Sequence, residues 1–192
     1  MDLSIRGLKA RLREEVRARV TGIAEDVRRE VSSKARALLA RQAAWQKAGS
    51  VLLFAPLKNE LDIWPLLEDA LKAGKSVALP RFQESAGRYE ACQITHLERD
   101  VELGRYGIRE PAKSLQPVQL NRLDFALVPG VAFDLHGRRL GRGKGYYDVL
   151  LAGMLGKTCG VAFDEQIVRE VPVEPHDSDV NCILTPTRWI EL

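Results

Sequence analysis

The stretch PGVAFDLHGRRLGRGKGYYD, residues 129 to 148, sets Arg138, Arg139, Arg142 and Lys144 among Gly141, Gly143 and Gly145. Glycines alternating with long cations let the backbone approach a ligand closely while the charges reach it from the side. A helix beginning near Tyr146 adds its free N–H groups and the positive end of its dipole. These are the parts of a phosphate cradle. Two common nucleotide patterns nevertheless fail here. GxxxxGK[ST] meets Arg138 in place of its first glycine and Gly145 in place of Ser or Thr, and GxGxxG meets Tyr146 in place of its last glycine. Any one of these residues fits a plain surface turn; four cations and three alternating glycines in so short a span point to a ligand.

Elements must hold that stretch in place. DFALVPGVAF before it reads as a buried strand and YYDVLLAGML after it as a helix, so the cradle lies outside a strand's carboxyl end, where open α/β sheets bind ligands. Upstream, SVLLFAPLKNE reads as a buried strand stopped by Pro56. Asp62 is placed to cap a helix that has Pro65 in its first turn and ends at Gly74, and SVALP is a second strand closed by proline. RYEACQITHL alternates in part and suggests an antiparallel excursion, followed by GRYGIREP as an ordered loop ending at Pro111. TCGVAF and CILT supply two further strands, and WIEL an edge strand. The first 47 residues read as two helices parted at Gly22, with Val27, Val31, Ala35, Leu38 and Trp45 as an apolar stripe on the second. The expected fold is a three-layer α/β sandwich with a mostly parallel sheet and an N-terminal helical arm, one domain over residues 1–192.

Composition bounds the setting. With 192 residues, 45% hydrophobic and 29% charged, the chain suits one globular domain with a substantial core, which excludes disorder and fibrous repeats. Cys92, Cys159 and Cys182 are odd in number and form no CxxC pair, so they read as reduced core residues. The N-terminal arginines fit a transit peptide, but Asp2, Glu14 and Glu15 argue against one, and no apolar segment approaches the length that spans a bilayer. A cytoplasmic protein is expected. The net charge of +3 is uneven: residues 1 to 47 carry 12 Lys and Arg against 6 Asp and Glu. Such a basic arm suits RNA, a membrane surface or an anionic ligand, although a solvated helix face accounts for the charge alone. The chain lacks an RNP-like aromatic motif or a basic stripe interleaved with aromatics, which sets RNA aside.

Residues 127 to 148, LVPGVAFDLHGRRLGRGKGYYD, resemble the signature of the 5-formyltetrahydrofolate cyclo-ligases, also called 5,10-methenyltetrahydrofolate synthetases. The resemblance continues in order through KARLR at 9 to 13, LFAPLKNELD at 53 to 62, VALPR at 77 to 81, YGIREP at 106 to 111, GVAFDEQIV at 160 to 168 and VPVEPHDSDV at 171 to 180. It implies an enzyme that closes the formyl group of 5-formyltetrahydrofolate onto N10 with ATP and Mg²⁺, on the α/β sandwich shared with sugar-phosphate isomerases and CoA transferases. It also implies a protein working as a monomer or weak dimer, with neither nucleic acid nor membrane as partner.

Residue roles follow from the same resemblance. Lys144 and Arg142 match the cations nearest the transferred phosphate and are the expected catalytic pair. Lys9, Arg13, Arg139, Leu140, Gly141, Arg142, Gly143, Lys144, Gly145, Tyr146 and Tyr147 match the ATP site. Glu60 matches a pterin-binding carboxylate, and Arg142, Gly143, Lys144, Gly145 and Tyr146 border the folate as well. Asp148 and Asp177 match the Mg²⁺ ligands, as hard oxygen donors should. Arg138 reads as a surface charge. Phe54 stands where a tyrosine is frequent and Asn181 where an aspartate is, which motivates the competing class: a paralogue that binds folate or ATP without turnover.

Overall fold

A computed structural model describes residues 4–104 and 107–192. Asp2, and Tyr106 of the YGIREP segment, lie outside the described residues. The chain runs through α1 (Ile5–Thr21), α2 (Glu25–Ala40), α3 (Ala43–Lys47), β1 (Ser50–Leu52), α4 (Pro65–Lys72), β2 (Ser76–Gln83), β3 (Arg88–Ile94), α5 (Leu97–Asp100), β4 (Val101–Leu103) and β5 (Arg109–Pro111). It continues through β6 (Phe125–Pro129), β7 (Ala132–Phe133), β8 (Arg139–Leu140), α6 (Tyr146–Leu151), β9 (Lys157–Val161), β10 (Cys182–Leu184) and β11 (Trp189–Glu191). Ser4 caps α1 by accepting the Gly7 N–H at 3.1 Å, and Gly22 ends it, as the composition of that turn predicts.

Seven strands form one sheet in the order β11-β10-β9-β6-β1-β2-β3. The five central strands are parallel, while β3 and β11 close the edges antiparallel. Because strand side chains alternate, Val51, Leu53, Phe125 and Leu127 face the core beneath α1 to α4, and Leu52, Ala126 and Val128 face the core beneath α6. The helical arm belongs to the first layer: Val16 and Val20 of α1 are buried against it. No helix among the described residues is long and apolar enough to cross a membrane.

Several local expectations need correction. On α2 Ala35 of the expected stripe is buried with Ser32 and Leu39, Val31 and Leu38 pack partly buried on the same core, and Trp45 is buried on α3, while Val27 stays 46% exposed. The Ser32 hydroxyl takes the Asp62 N–H at 2.9 Å, which turns that face toward the segment after β1. Asp62 itself does not cap α4; Trp64 holds the cap position, and the Asp62 carboxylate accepts the Trp64 N–H just upstream. Gly74 does lie just past α4, at φ 76°. Strand β2 runs through Pro80 to Gln83 rather than stopping there. The Ala78 carbonyl bonds toward β1, at the Leu53 N–H, and residue 80 faces the same way past the end of the β1 ladder. The missing N–H of Pro80 therefore costs no sheet bond. Residues 109–111, expected as loop, form β5, paired antiparallel to β4. A two-residue hairpin, β7 with β8, interrupts the stretch between β6 and α6.

The three cysteines are free and buried. Burial pushes the Cys92 thiol up to about 11 and the Cys159 thiol well above its ordinary value, so both are inert.

Candidate active site

The glycine stretch owes its shape to a buried carboxylate and to bare backbone. Asp134, fully buried at the β7–β8 turn, accepts the N–H groups of His136, Arg138 and Val171 at 2.9, 3.2 and 2.9 Å, which fixes the hairpin against the loop before the PHDSD segment. A Cβ on Gly130 would lie 2.5 Å from the Phe133 ring, so the chain leaving β6 can turn there only without a side chain. Gly143 and Gly145 have φ of 103° and 68°, a region that other residues avoid, and Gly145 is the N-cap of α6.

The cations then divide by partner. Arg139, 4% exposed, is paired with the Asp148 carboxylate and lies over the Tyr147 ring, tying β8 to the first turn of α6. Asp148 Oδ1 also accepts the Ser178 N–H at 3.3 Å. Arg142 Nη2 donates to Glu60 Oε1 at 2.7 Å, while Glu60 Oε2 accepts the Leu57 N–H at 2.9 Å. Arg13 Nε reaches from α1 to the Gly141 carbonyl at 2.9 Å. One turn earlier on the same face, Lys9 is buried between Glu174 and Asp177, with Nζ at 2.7 and 2.6 Å from them. Burial raises the Asp177 carboxyl, but the hydrogen bonds from Lys9 and the Glu174 N–H, with the charges of Lys9 and His176, bring it below its usual value. Lys144 is exposed at the mouth and has no hydrogen bond or ion pair among the described residues.

A cleft of about 350 Å³ opens beside these groups. One wall is Gly141, Arg142, Lys144, Gly145 and the start of α6; the other is Leu57, Tyr89 and Ile108. Tyr89 meets Tyr146 and Tyr147 with ring centroids 5.6 and 5.8 Å apart, and Phe82 lies 5.1 Å from Tyr146. A second chamber of about 90 Å³ shares Leu57, Tyr89, Arg142 and Tyr147 with the cleft and adds Phe54, Glu60 and Glu110. Bare glycine backbone and cations thus face an aromatic slot, an arrangement suited to a phosphorylated nucleotide set against a flat, polar-edged ring.

Residues 6–186 match the model of the 5-formyltetrahydrofolate cyclo-ligase family. The chain belongs to that family. The 5-formyltetrahydrofolate cyclo-ligase of Escherichia coli K12 is 32% identical over 178 residues, covering 90% of this chain and 97% of the relative. The cyclo-ligase of Mus musculus is 29% identical over 190 residues, 93% and 92% of the two chains. Among solved structures, the 5,10-methenyltetrahydrofolate synthetase of Aquifex aeolicus superposes with a TM-score of 0.87 at 34% identity, over 96% of this chain and 93% of that one.

In this member of the cyclo-ligase family, Arg139, Gly141, Arg142, Lys144, Gly145, Tyr146, Tyr147 and Asp148 gather on the larger cleft, and Glu60 joins Arg142 across 82 residues of chain. Gly143 backs onto Arg13. Leu140 instead points into the core, 1% exposed, and contributes its carbonyl to the Val131 N–H at 2.7 Å. Lys9 and Asp177 pair with each other beside the cleft. Asn181 lies away from it: its side-chain oxygen accepts the Thr158 N–H at 2.8 Å and joins β10 to β9. Leu57, Phe82, Tyr89, Ile108 and Glu110 are site residues that the sequence does not single out; only the aromatic pair flanking the β2–β3 turn offered a signal.

Proposed function

We propose that this cyclo-ligase converts 5-formyltetrahydrofolate to 5,10-methenyltetrahydrofolate with ATP, releasing ADP and phosphate, at the cleft between the glycine loop and the Tyr89 wall. The observation that carries the assignment of roles is Lys144, a cation at the mouth of a glycine-backed cleft with no hydrogen bond or ion pair among the described residues. A formamide oxygen is a poor leaving group. The formyl oxygen takes the γ-phosphoryl as ADP departs; the N10 lone pair then attacks the activated carbon, the N10 proton is lost, and phosphate leaves with the C–O bond. Phosphoryl transfer rests on position and charge rather than on a protein nucleophile, which suits Lys144 and Arg142 facing the γ-phosphate. Arg13, the Gly143 and Gly145 backbone and the α6 N-terminus would cradle the remaining phosphates.

Ring closure is intramolecular, so a pocket that holds N10 against the carbon removes much of its entropic barrier. Tyr89, Tyr146, Tyr147 and Leu57 would flank the folate, with Glu60 and Arg142 at its edge. Asp148 and Asp177 suit Mg²⁺. Each uses Oδ1 or Oδ2 to hold a cation of the protein and keeps its other oxygen out of any hydrogen bond among the described residues. Mg²⁺ held there with ATP would offset charge on the phosphates. Arg139 and Lys9, expected as ATP cations, would act by positioning these two carboxylates. We further propose one domain over residues 1–192, acting in the cytoplasm as a monomer or weak dimer without nucleic acid or membrane.

The test is direct. The chain is mixed with 5-formyltetrahydrofolate, ATP and Mg²⁺, and the near-ultraviolet absorbance of the methenyl product is followed, with ATP or metal omitted in controls. A rise that needs both is expected. Binding of folate or ATP with no rise would assign the chain to the non-catalytic paralogues.

A further inference from the structure

Glu110 on β5 is a buried carboxyl with no ion pair among the described residues. It is 5% exposed; among the described residues its Oε1 has no hydrogen-bond partner, while its Oε2 accepts the Phe82 N–H at 3.3 Å. Arg81 on β2, whose charge acts on this carboxyl, is engaged elsewhere: Nε and Nη2 hold Glu90 of β3 at 3.0 and 2.6 Å, and Nη1 holds the Ala112 carbonyl at 2.6 Å. Opposite Glu110 in the β4–β5 ladder stands Glu102, a like charge. The backbone also makes room for this carboxyl, since a Cβ on Gly104 would lie 2.5 Å from Oε2. An orphaned buried acid of this kind has a large desolvation cost unless it stays neutral or meets a ligand.

Glu110 lines two cavities, one of about 540 Å³ shared with Arg81, Phe82, Glu102 and Gly104, and the smaller chamber of the proposed site. Glu110 lines the smaller chamber with Phe54, Pro80, Tyr89 and Tyr147, where apolar and aromatic surfaces suit a flat ring. The chamber's other carboxyl, Glu60, already has one oxygen on Arg142 and the other on the Leu57 N–H. Resting on the cyclo-ligase reading of the site, we propose that Glu110 is a specificity-determining residue that hydrogen-bonds the amide edge of the substrate's pterin ring. A neutral carboxyl carries one donor and one acceptor, and a ring amide presents the complementary carbonyl and N–H on one edge. Burial, opposed in part by the Phe82 N–H and Arg81 and reinforced by Glu102, holds the Glu110 carboxyl above its usual value, which favours that neutral form.

The experiment titrates 5-formyltetrahydrofolate into the full chain without ATP, following intrinsic fluorescence, for wild type, Glu110→Met, Glu110→Ala and Glu110→Gln. KM for ATP and thermal midpoints are measured in parallel. Met and Ala should weaken folate binding about tenfold or more, because a polar ring edge is left unpaired, while Gln, which keeps a donor and an acceptor, should stay within about threefold of wild type. KM for ATP should not move, and Met should not lower the midpoint, since it removes an unpaired buried acid. Met and Ala variants with wild-type affinity, a Gln variant as weak as they are, or a parallel loss of ATP affinity would each overturn the proposal. A wild-type chain that binds no 5-formyltetrahydrofolate overturns the cyclo-ligase reading and this inference together, whereas a turnover-competent wild type with indifferent Glu110 variants overturns this inference alone.

Discussion

Lys144 and Arg139 are both cations of one glycine stretch, yet their surroundings assign them opposite duties. Lys144 is exposed and has no hydrogen bond or ion pair among the described residues, so Lys144→Ala should lower turnover by about 100-fold or more while the thermal midpoint stays nearly constant. Steady-state rates and a melting curve on the same sample check this. Arg139 is buried against Asp148, and removing one partner of such a pair leaves the other charged and desolvated. Arg139→Met should therefore cost about 3 kcal/mol in urea unfolding, and adding Asp148→Leu should restore much of that while leaving the enzyme inactive. Residue types were legible here because glycines and cations this dense have few other uses. The partners were not: nothing in the sequence says that Arg142 meets Glu60 or that Lys9 meets Asp177, because those pairs form only when distant segments reach one end of the sheet.

At the scale of elements, α1 acts as a latch across the site. Lys9 ties it to the loop after β9, and Arg13 ties it to the glycine stretch, so one helix face couples two segments of the proposed site. The latch has a pH signature. The Glu174 and Asp177 carboxyls lie below their ordinary values of 4.5 and 3.8 in the folded chain, so their contribution is complete above those values and lost as pH falls through the depressed ones. Lys9 is raised above 10.5, so its share is present below that value and lost only in stronger alkali. Urea midpoints should thus fall more steeply in acid for wild type than for Lys9→Met, with a constant gap around neutrality; equal slopes would remove the latch from the account. Another element depends on bare backbone. A Cβ on Gly156 would overlap the carbonyl oxygen of Leu123 where β9 enters the sheet, so Gly156→Ala should destabilise by about 2 kcal/mol in chemical denaturation without altering turnover per folded molecule.

The elements themselves were partly legible for physical reasons. Apolar runs such as VLLF and ALVP reveal buried parallel strands, since both faces of each are covered. The β7–β8 hairpin is invisible because two residues per strand are too few for any alternation to appear. Pro80 misleads because its effect depends on which edge of β2 lacks a neighbour, a property of the sheet rather than of the strand.

Across the whole molecule, the parallel sheet brings β6, the glycine loop, α6 and the PHDSD segment to one end, while α1 closes them from the side. Layering of this kind could be read from the order of strands and helices, because parallel neighbours need helical crossovers. The aromatic slot could not, since Tyr89 arrives from an edge hairpin and Ile108 from the turn before β5. The central claim concerns the assembled site: the proposal couples ATP cleavage to ring closure, in successive steps, at one cleft. Counting ADP released per methenyl product under single-enzyme conditions tests it most directly. One ADP for each product formed, with both falling together in Lys144→Ala, is the result this account predicts. ADP release without product, or product without ADP, would contradict it.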